Sequence, residues 1–476
     1  MDRRSFIHVA LANLGAIAVG DRFSSAAPTL TAVSLLDKTT PKPNFPSTQL
    51  ETPREIGLLA EPTRLEIPGR GVFEKWLYNG QYPGPEIRAR EGERLRLKVT
   101  NRLPQGTTVH WHGIPLSNPM DGVPNVTQPP IGTGETFVYE FDVALPGTYM
   151  YHSHFGLQPD RGLVGPLIIE EKKAHVAYDR EHTLILTDFL SGAPVPLGLA
   201  MSDSANANAM RMQSVPYIVL LINGRPPEAP TVFDVKTGER ARIRLINPSG
   251  ATIYRFAIGG HFLTVTHTDG RPVEPVKVDA LHIAPGERYD VVVDATNAGA
   301  WPIVAQPDND LPPARAILRY AGLNDSTPLG KALPEGLTRG RMLQLRDLRG
   351  LDVPTFRKPL RTFKLVLSGG MNGPGNNMGQ VWMMNNQVYP NSAPLEVHQG
   401  EPVRLRFINQ TAMPHPIHMH GHFFRVANVA KDTVIVWANM DHVDLDFVPN
   451  NPGAWFLHCH NLYHMEAGMA RLIRYV

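Results

Sequence analysis

Residues 452–469 read PGAWFLHCHNLYHMEAGM and contain the only cysteine of the 476-residue chain, Cys459, set between two histidines. A lone cysteine excludes an intrachain disulfide and leaves a buried thiol, a nucleophile or a metal ligand. Its surroundings favour the last. Three more H-x-H pairs, His110/His112, His152/His154 and His418/His420, join His458/His460. Side chains two apart on a strand project to the same face, so each pair offers two imidazoles side by side. Eight imidazoles exceed one tetrahedral site and suit a cluster of about three ions, with copper, zinc, iron or nickel as the metals imidazole favours. In HCH the cysteine must then point to the opposite strand face. His415, His464 and Met469 are available there, and two imidazoles, a thiolate and a weak axial thioether make a trigonal electron-transfer copper site.

Strands must hold these side chains, and comparing the chain with itself locates them. GERLRLKVTN (92–101), GERARIRLIN (238–247) and GEPVRLRFIN (400–409) share a Gly-Glu start, strand-like alternation and a closing Asn. Nine residues past each Asn stand HWHG, FAIG and HMHG. A second anchor repeats the result: PGTYMYHSH and PGAWFLHCH flank a middle AGAWPIVAQ, with Val304, Ala305 and Gln306 in the histidine slots. Units one and three therefore carry the ligands and unit two carries none. Unit one is also an internal control. Thr107, Ser153, Gln158 and Leu163 occupy the positions of His415, Cys459, His464 and Met469, so only one thiolate site is expected.

The expected architecture is all-β, with three consecutive Greek-key β-sandwich domains. The many Gly and Pro residues, 41 and 44, fall between short alternating runs as such sandwiches require. The expected boundaries are 46–172, 173–323 and 360–476, with a linker over 324–359. Residues 1–45 read as an export signal of the twin-arginine type (Arg3, Arg4) and a linker, implying a periplasmic or secreted protein. The apolar stretch of that segment is too short to span a bilayer. A net charge of +2 with 19% charged residues gives no field for nucleic acid, so a small-molecule partner is expected; the protein is also expected to be a monomer. The other nine histidines read as ordinary residues, with His422 set apart because it adjoins the cluster motif.

HWHG with MDGVP after it, YHSHFG, PGERYD, HPIHMHGH and HCHNLYHMEAGM resemble the multicopper oxidases, in their three-domain laccase-like and copper-resistance branch. The resemblance covers nearly the whole mature chain. It implies cupredoxin-like domains and four coppers. The type 1 ion would take His415, Cys459, His464 and axial Met469, and the type 2 ion His110 and His418. One type 3 ion would take His112, His152 and His460, the other His154, His420 and His458. It further implies one-electron oxidation of a phenolic or aromatic substrate at type 1, electron passage through Cys459 to His458 and His460, and four-electron reduction of O2 to water. Asp121 matches a family proton-relay carboxylate. Relatives place an acid immediately after the last type 1 histidine, whereas here Met465 holds that slot and Glu466 follows as the candidate relay.

Substrate is open between phenols and Cu(I). Met371, Met378, Met383 and Met384, in SGGMNGPGNNMGQVWMMNN, resemble the methionine-rich inserts of copper-homeostasis members. The rival classes are a copper carrier holding one ion and a colourless zinc hydrolase.

Overall fold

A computed structural model describes residues 52–196, 215–322, 330–355, 361–370, 381–440 and 442–476. The expected export signal, Met371 and Met378 lie outside them.

Among the described residues, six sheets form three successive two-sheet sandwiches. In the first, strands 71–78, 54–67, 94–101 and 136–142 lie side by side in that order, and the facing sheet runs 87–90, 164–170, 147–152, 110–112. The second pairs a six-stranded with a five-stranded sheet, and so does the third. One connection recurs in all three. The opening strand of each sandwich lies parallel to its Gly-Glu strand: 54–67 on 94–101, 180–189 on 240–246, 361–370 on 403–409. Crossings of this kind between the two sheets give each domain the cupredoxin-like Greek-key form. Among the described residues no helix is long and apolar enough to cross a membrane.

Alternation in Val403–Asn409 follows the strand period, with Val403, Leu405 and Phe407 inward. The middle copy, Arg240–Ile246, is buried on both faces. Its outward Arg242 and Arg244 meet Asp290, Glu171 and Glu181 in ion pairs, which accounts for charged residues standing where solvent faces the other copies.

The closing Asn of each copy acts alike. The Asn101 amide donates to the carbonyls of Gln105 and Ile131, that of Asn247 to Thr252 and Ile283, and that of Asn409 to Met413, Val436 and Trp437. Each Asn thus pins the loop that leads into the strand that bears ligands in the outer domains. In the outer domains that strand sets His110 opposite His152 and His418 opposite His458. The middle domain pairs Phe256 with Ala305, one residue away from the Val304 that the sequence spacing matches to His152. Phe256 and Ala305 are fully buried in the core, so packing rather than ligation sets this register.

Candidate metal centres

The eight paired histidines converge. Strands His110–His112 and Gly147–His152 supply the first-domain imidazoles; strands His415–Met419 and Ala454–Cys459, with the residues just past their ends, supply the third-domain ones. The rings of His110 and His420 stack at 3.8 Å, as do those of His112 and His418. Ligand atoms of His154, His420 and His458 lie within 4.8 Å of one another, and so do those of His110, His112 and His152.

Hydrogen bonds on the outer side of the rings fix what faces inward. His110 Nδ1 donates to the Asp121 carbonyl (2.7 Å), His152 Nδ1 to the Ser153 carbonyl (2.9 Å), His418 Nδ1 to the Asp432 carbonyl (2.9 Å) and His458 Nδ1 to the Cys459 carbonyl (2.9 Å). His420 Nδ1 donates to Asp121 Oδ2 (2.9 Å). His112 is reversed: its Nε2 donates to Asp432 Oδ1 (3.2 Å). Each ring is thereby locked with one bare lone pair turned inward.

Those inward atoms are buried without a protein partner at His110, His112, His152 and His418, as are Nε2 of His154 and both ring nitrogens of His460. Nε2 of His420 and His458 face each other at 3.1 Å although both Nδ1 atoms are already donors. Two lone pairs at that distance repel unless a cation lies between them, so the residues fit a metal cluster. Burial, reinforced by the neighbouring imidazoles, holds His112, His154, His420, His458 and His460 well below the ordinary imidazole pKa and brings His152 to about 3. Neutral imidazoles are the ligating form.

On the other face of the Cys459 strand lies the second group. Cys459 Sγ is 3.6 Å from His415 Nδ1 and 3.7 Å from His464 Nδ1, with 3.0 Å between the nitrogens. With metal bonds of about 2.0 Å to N and 2.3 Å to S, a shared trigonal ion places S and N roughly 3.7 Å apart, so the triad fits. The Thr411 hydroxyl donates to Asn409 Oδ1 (2.8 Å) and accepts from His415 Nε2 (2.8 Å), which leaves His415 Nδ1 bare toward the sulfur. Asn461 caps the short helix Leu462–Glu466 and so orients His464. The Cys459 amide donates to the Met469 carbonyl (3.0 Å), and Met469 is fully buried in the same core. Burial pushes the Cys459 thiol far up, so the thiolate needs a cation beside it.

The sequence concealed three residues. Trp382 lies against His464, tilted by 32° with centroids 4.0 Å apart, and meets His415 edge-on at 5.1 Å. Asp432 holds His112 and His418, and Arg288 of the middle domain grips Asp432 with two bonds of 2.8 and 2.6 Å. Burial alone would raise the Asp432 carboxyl; the Arg288 guanidinium holds it well below the carboxylate range. PGERYD already pointed to Arg288 as part of a motif, but nothing in its spacing gave it a partner.

Asp121 stands against His110 and His420. Glu466 is exposed, and Met465 before it faces a small cavity of about 20 Å³ that reaches His152, His154, His458 and His460. Met383 and Met384 are buried, Met384 in the core of the third domain. His422 donates through Nδ1 to the His420 carbonyl (3.1 Å), and its Nε2 meets the Tyr475 hydroxyl (2.6 Å), a bracing role.

Models of the multicopper oxidase family match residues 62–174, 180–323 and 365–475. The chain belongs to the multicopper oxidases. It is 36% identical to the multicopper oxidase MmcO of Mycobacterium tuberculosis, over all of this chain and 96% of that protein. It is 28% identical to a copper resistance protein A homologue of Pseudomonas syringae pv. tomato, over 88% of this chain and 92% of the relative. The structure of the Botrytis aclada laccase superposes with a TM-score of 0.73 at 29% identity, over 88% of this chain and 87% of that one. Membership of the multicopper oxidases makes this protein a copper oxidoreductase.

Proposed function

We propose that this multicopper oxidase withdraws single electrons from a phenolic or aromatic substrate at a type 1 copper and uses four of them, with four protons, to reduce O2 to two waters at a three-copper cluster. The observation that carries the reading is the tripeptide His458-Cys459-His460. Its cysteine faces a two-histidine pocket on one side of a strand, and its histidines face the cluster on the other. Copper supplies reversible one-electron chemistry at both places, which zinc lacks.

His415, Cys459, His464 and Met469 would hold the type 1 ion, with Trp382 excluding water from it. His110 and His418 would hold type 2, and the remaining six histidines the type 3 pair. The covalent backbone joins Cys459 to both cluster histidines. The His458 Nδ1 bond to the Cys459 carbonyl adds a shorter bridge between the sites. Asp121 and Asp432 fix the imidazole tautomers, and Asp121 would exchange protons beside type 2. The domains divide this labour as 46–172 and 360–476, with 173–323 as a ligand-free brace. Export by the N-terminal segment and action as a monomer complete the reading.

A second reading, oxidation of Cu(I), is favoured by the copper-resistance name carried by one of the relatives above. Oxygen uptake by the copper-loaded protein separates the two. Uptake with a dimethoxyphenol and little with stabilised Cu(I) supports the first, and the reverse supports the second. No uptake with either overturns both.

A further inference from the structure

Reduction of O2 to water consumes four protons, and among the described residues no carboxylate lines the cavity that reaches the cluster. Asp121 and Asp432 are tied to imidazoles, and Asp432 to Arg288 as well. A different carboxyl stands behind the cavity wall. Asp160 Oδ2 accepts from Tyr463 Oη (2.6 Å) and Tyr217 Oη (2.8 Å). Its Oδ1 lies against Gly250, where an added Cβ would be 2.2 Å away. Gly250 belongs to the wall, and its carbonyl accepts from the amide of Leu462, another wall residue, at 2.8 Å. Pro159, adjacent to Asp160 in the chain, also lines the cavity.

Repeat symmetry adds a second observation. Gln158 occupies in the first domain the position of His464 in the third, so Asp160 is the counterpart of Glu466. Glu466 is exposed on its helix, whereas its first-domain counterpart is turned toward the junction of all three domains and keeps one partly exposed edge.

We propose that Asp160 is the proton donor for the cavity side of the cluster, passing protons past Gly250 through cavity water and recovering them from solvent at its exposed edge. The proposal rests on the oxidase reading. For each O2 + 4 e⁻ + 4 H⁺ → 2 H2O, the electrons come from four substrate oxidations. The Asp160 O–H bond breaks to give up one proton at a time, and the carboxylate is reprotonated from bulk before the next.

The groups facing Asp160 set its proton affinity. Lys75 Nζ donates to its backbone carbonyl (3.2 Å) from strand 71–78, Asp188 approaches from strand 180–189, and Tyr82, Tyr217 and Tyr463 complete the shell. Burial first and the Asp188 charge second raise the carboxyl to about 7, against the pull of Tyr463, Tyr217 and Lys75. A general acid is most effective near the working pH.

The test uses the copper-loaded enzyme, fully reduced and then mixed with O2, and follows the return of the type 1 blue absorption. Asp160→Asn should slow reoxidation by about tenfold or more and remove the limb of the pH profile centred near neutrality. Asp160→Glu should restore most of the rate. Tyr463→Phe, which removes a hydrogen bond from the carboxylate, should move the limb to higher pH. Independently of turnover, infrared spectra of the wild type should show a carboxyl band titrating near neutrality that is absent in Asp160→Asn. An unchanged rate and pH profile in Asp160→Asn overturns the proposal. Equal slowing of anaerobic reduction by a phenol also overturns it, because a structural lesion would do that. A wild type that consumes no O2 overturns the oxidase reading and this proposal together, whereas wild-type uptake with an indifferent Asp160→Asn overturns this proposal alone.

Discussion

The first and third domains place four side chains at equivalent points of the same strand-loop-helix frame and use them oppositely. In the third domain His415, Cys459 and His464 turn bare acceptors toward one another. In the first, Thr107 Oγ1 and Ser153 Oγ both donate to Gln158 Oε1 (2.6 and 2.7 Å), and Gln158 Nε2 donates to the Gly106 carbonyl (2.8 Å). The backbone is shared to the detail that the Ser153 amide donates to the Leu163 carbonyl at 3.0 Å, as the Cys459 amide does to Met469. What distinguishes a metal site here is therefore not the frame. In one copy the polar groups satisfy each other, and in the other only a cation satisfies them.

The largest effect should come from making the third domain like the first. Cys459→Ser substitutes the residue found at position 153 and removes the thiolate that joins the two sites. Oxygen uptake with any reductant should fall to background and the blue absorption should vanish, while the fold, read by circular dichroism, survives.

Next comes the brace. Arg288→Met leaves the Asp432 carboxylate buried without its cation, and loss of one partner of a buried pair costs about 3–5 kcal/mol. A calorimetric Tm should fall accordingly. Because Asp432 orients His112 and His418, cluster copper should also be held about 10–100-fold more weakly, measurable by competition with a chelator.

Breaking the self-satisfied copy is milder. Gln158→Leu strands the Thr107 and Ser153 hydroxyls at a cost of about 1–3 kcal/mol, with blue absorption unchanged. A loss of colour would show that the first-domain network does more than fill its pocket.

The smallest effect is on pH. Asp160 is held near 7 in the fold against an ordinary value of 3.8. A raised folded pKa stabilises below the unfolded value, and that contribution is lost as pH rises through the folded one. Wild-type stability should therefore decline between about pH 4 and 7 relative to Asp160→Asn. The expected size is about 1–2 kcal/mol, given the partly wetted edge.

How much of this was legible in the sequence depended on whether the signal was periodic. The three Gly-Glu strands, the closing Asn residues and the paired histidines repeat, so Asn101, Asn247 and Asn409 announced equivalent loops before their hydrogen bonds were known. Strand alternation alone put Cys459 and its flanking histidines on opposite faces. Arg288, Asp432 and Trp382 do not repeat. Arg288 and Asp432 are 144 residues apart and meet only because the middle domain packs against the third, a contact no local pattern encodes. The offset pairing of Phe256 with Ala305 was equally hidden, since spacing counts residues and a loop can absorb one.

The most direct measurement is copper per chain in the wild type and in Cys459→Ser, prepared side by side. We expect four ions in the wild type and three in the variant, with the blue absorption lost and the cluster signals kept. One ion in the wild type, or an unchanged count without the thiolate, would contradict the assignment of two separate copper centres to the two faces of one strand.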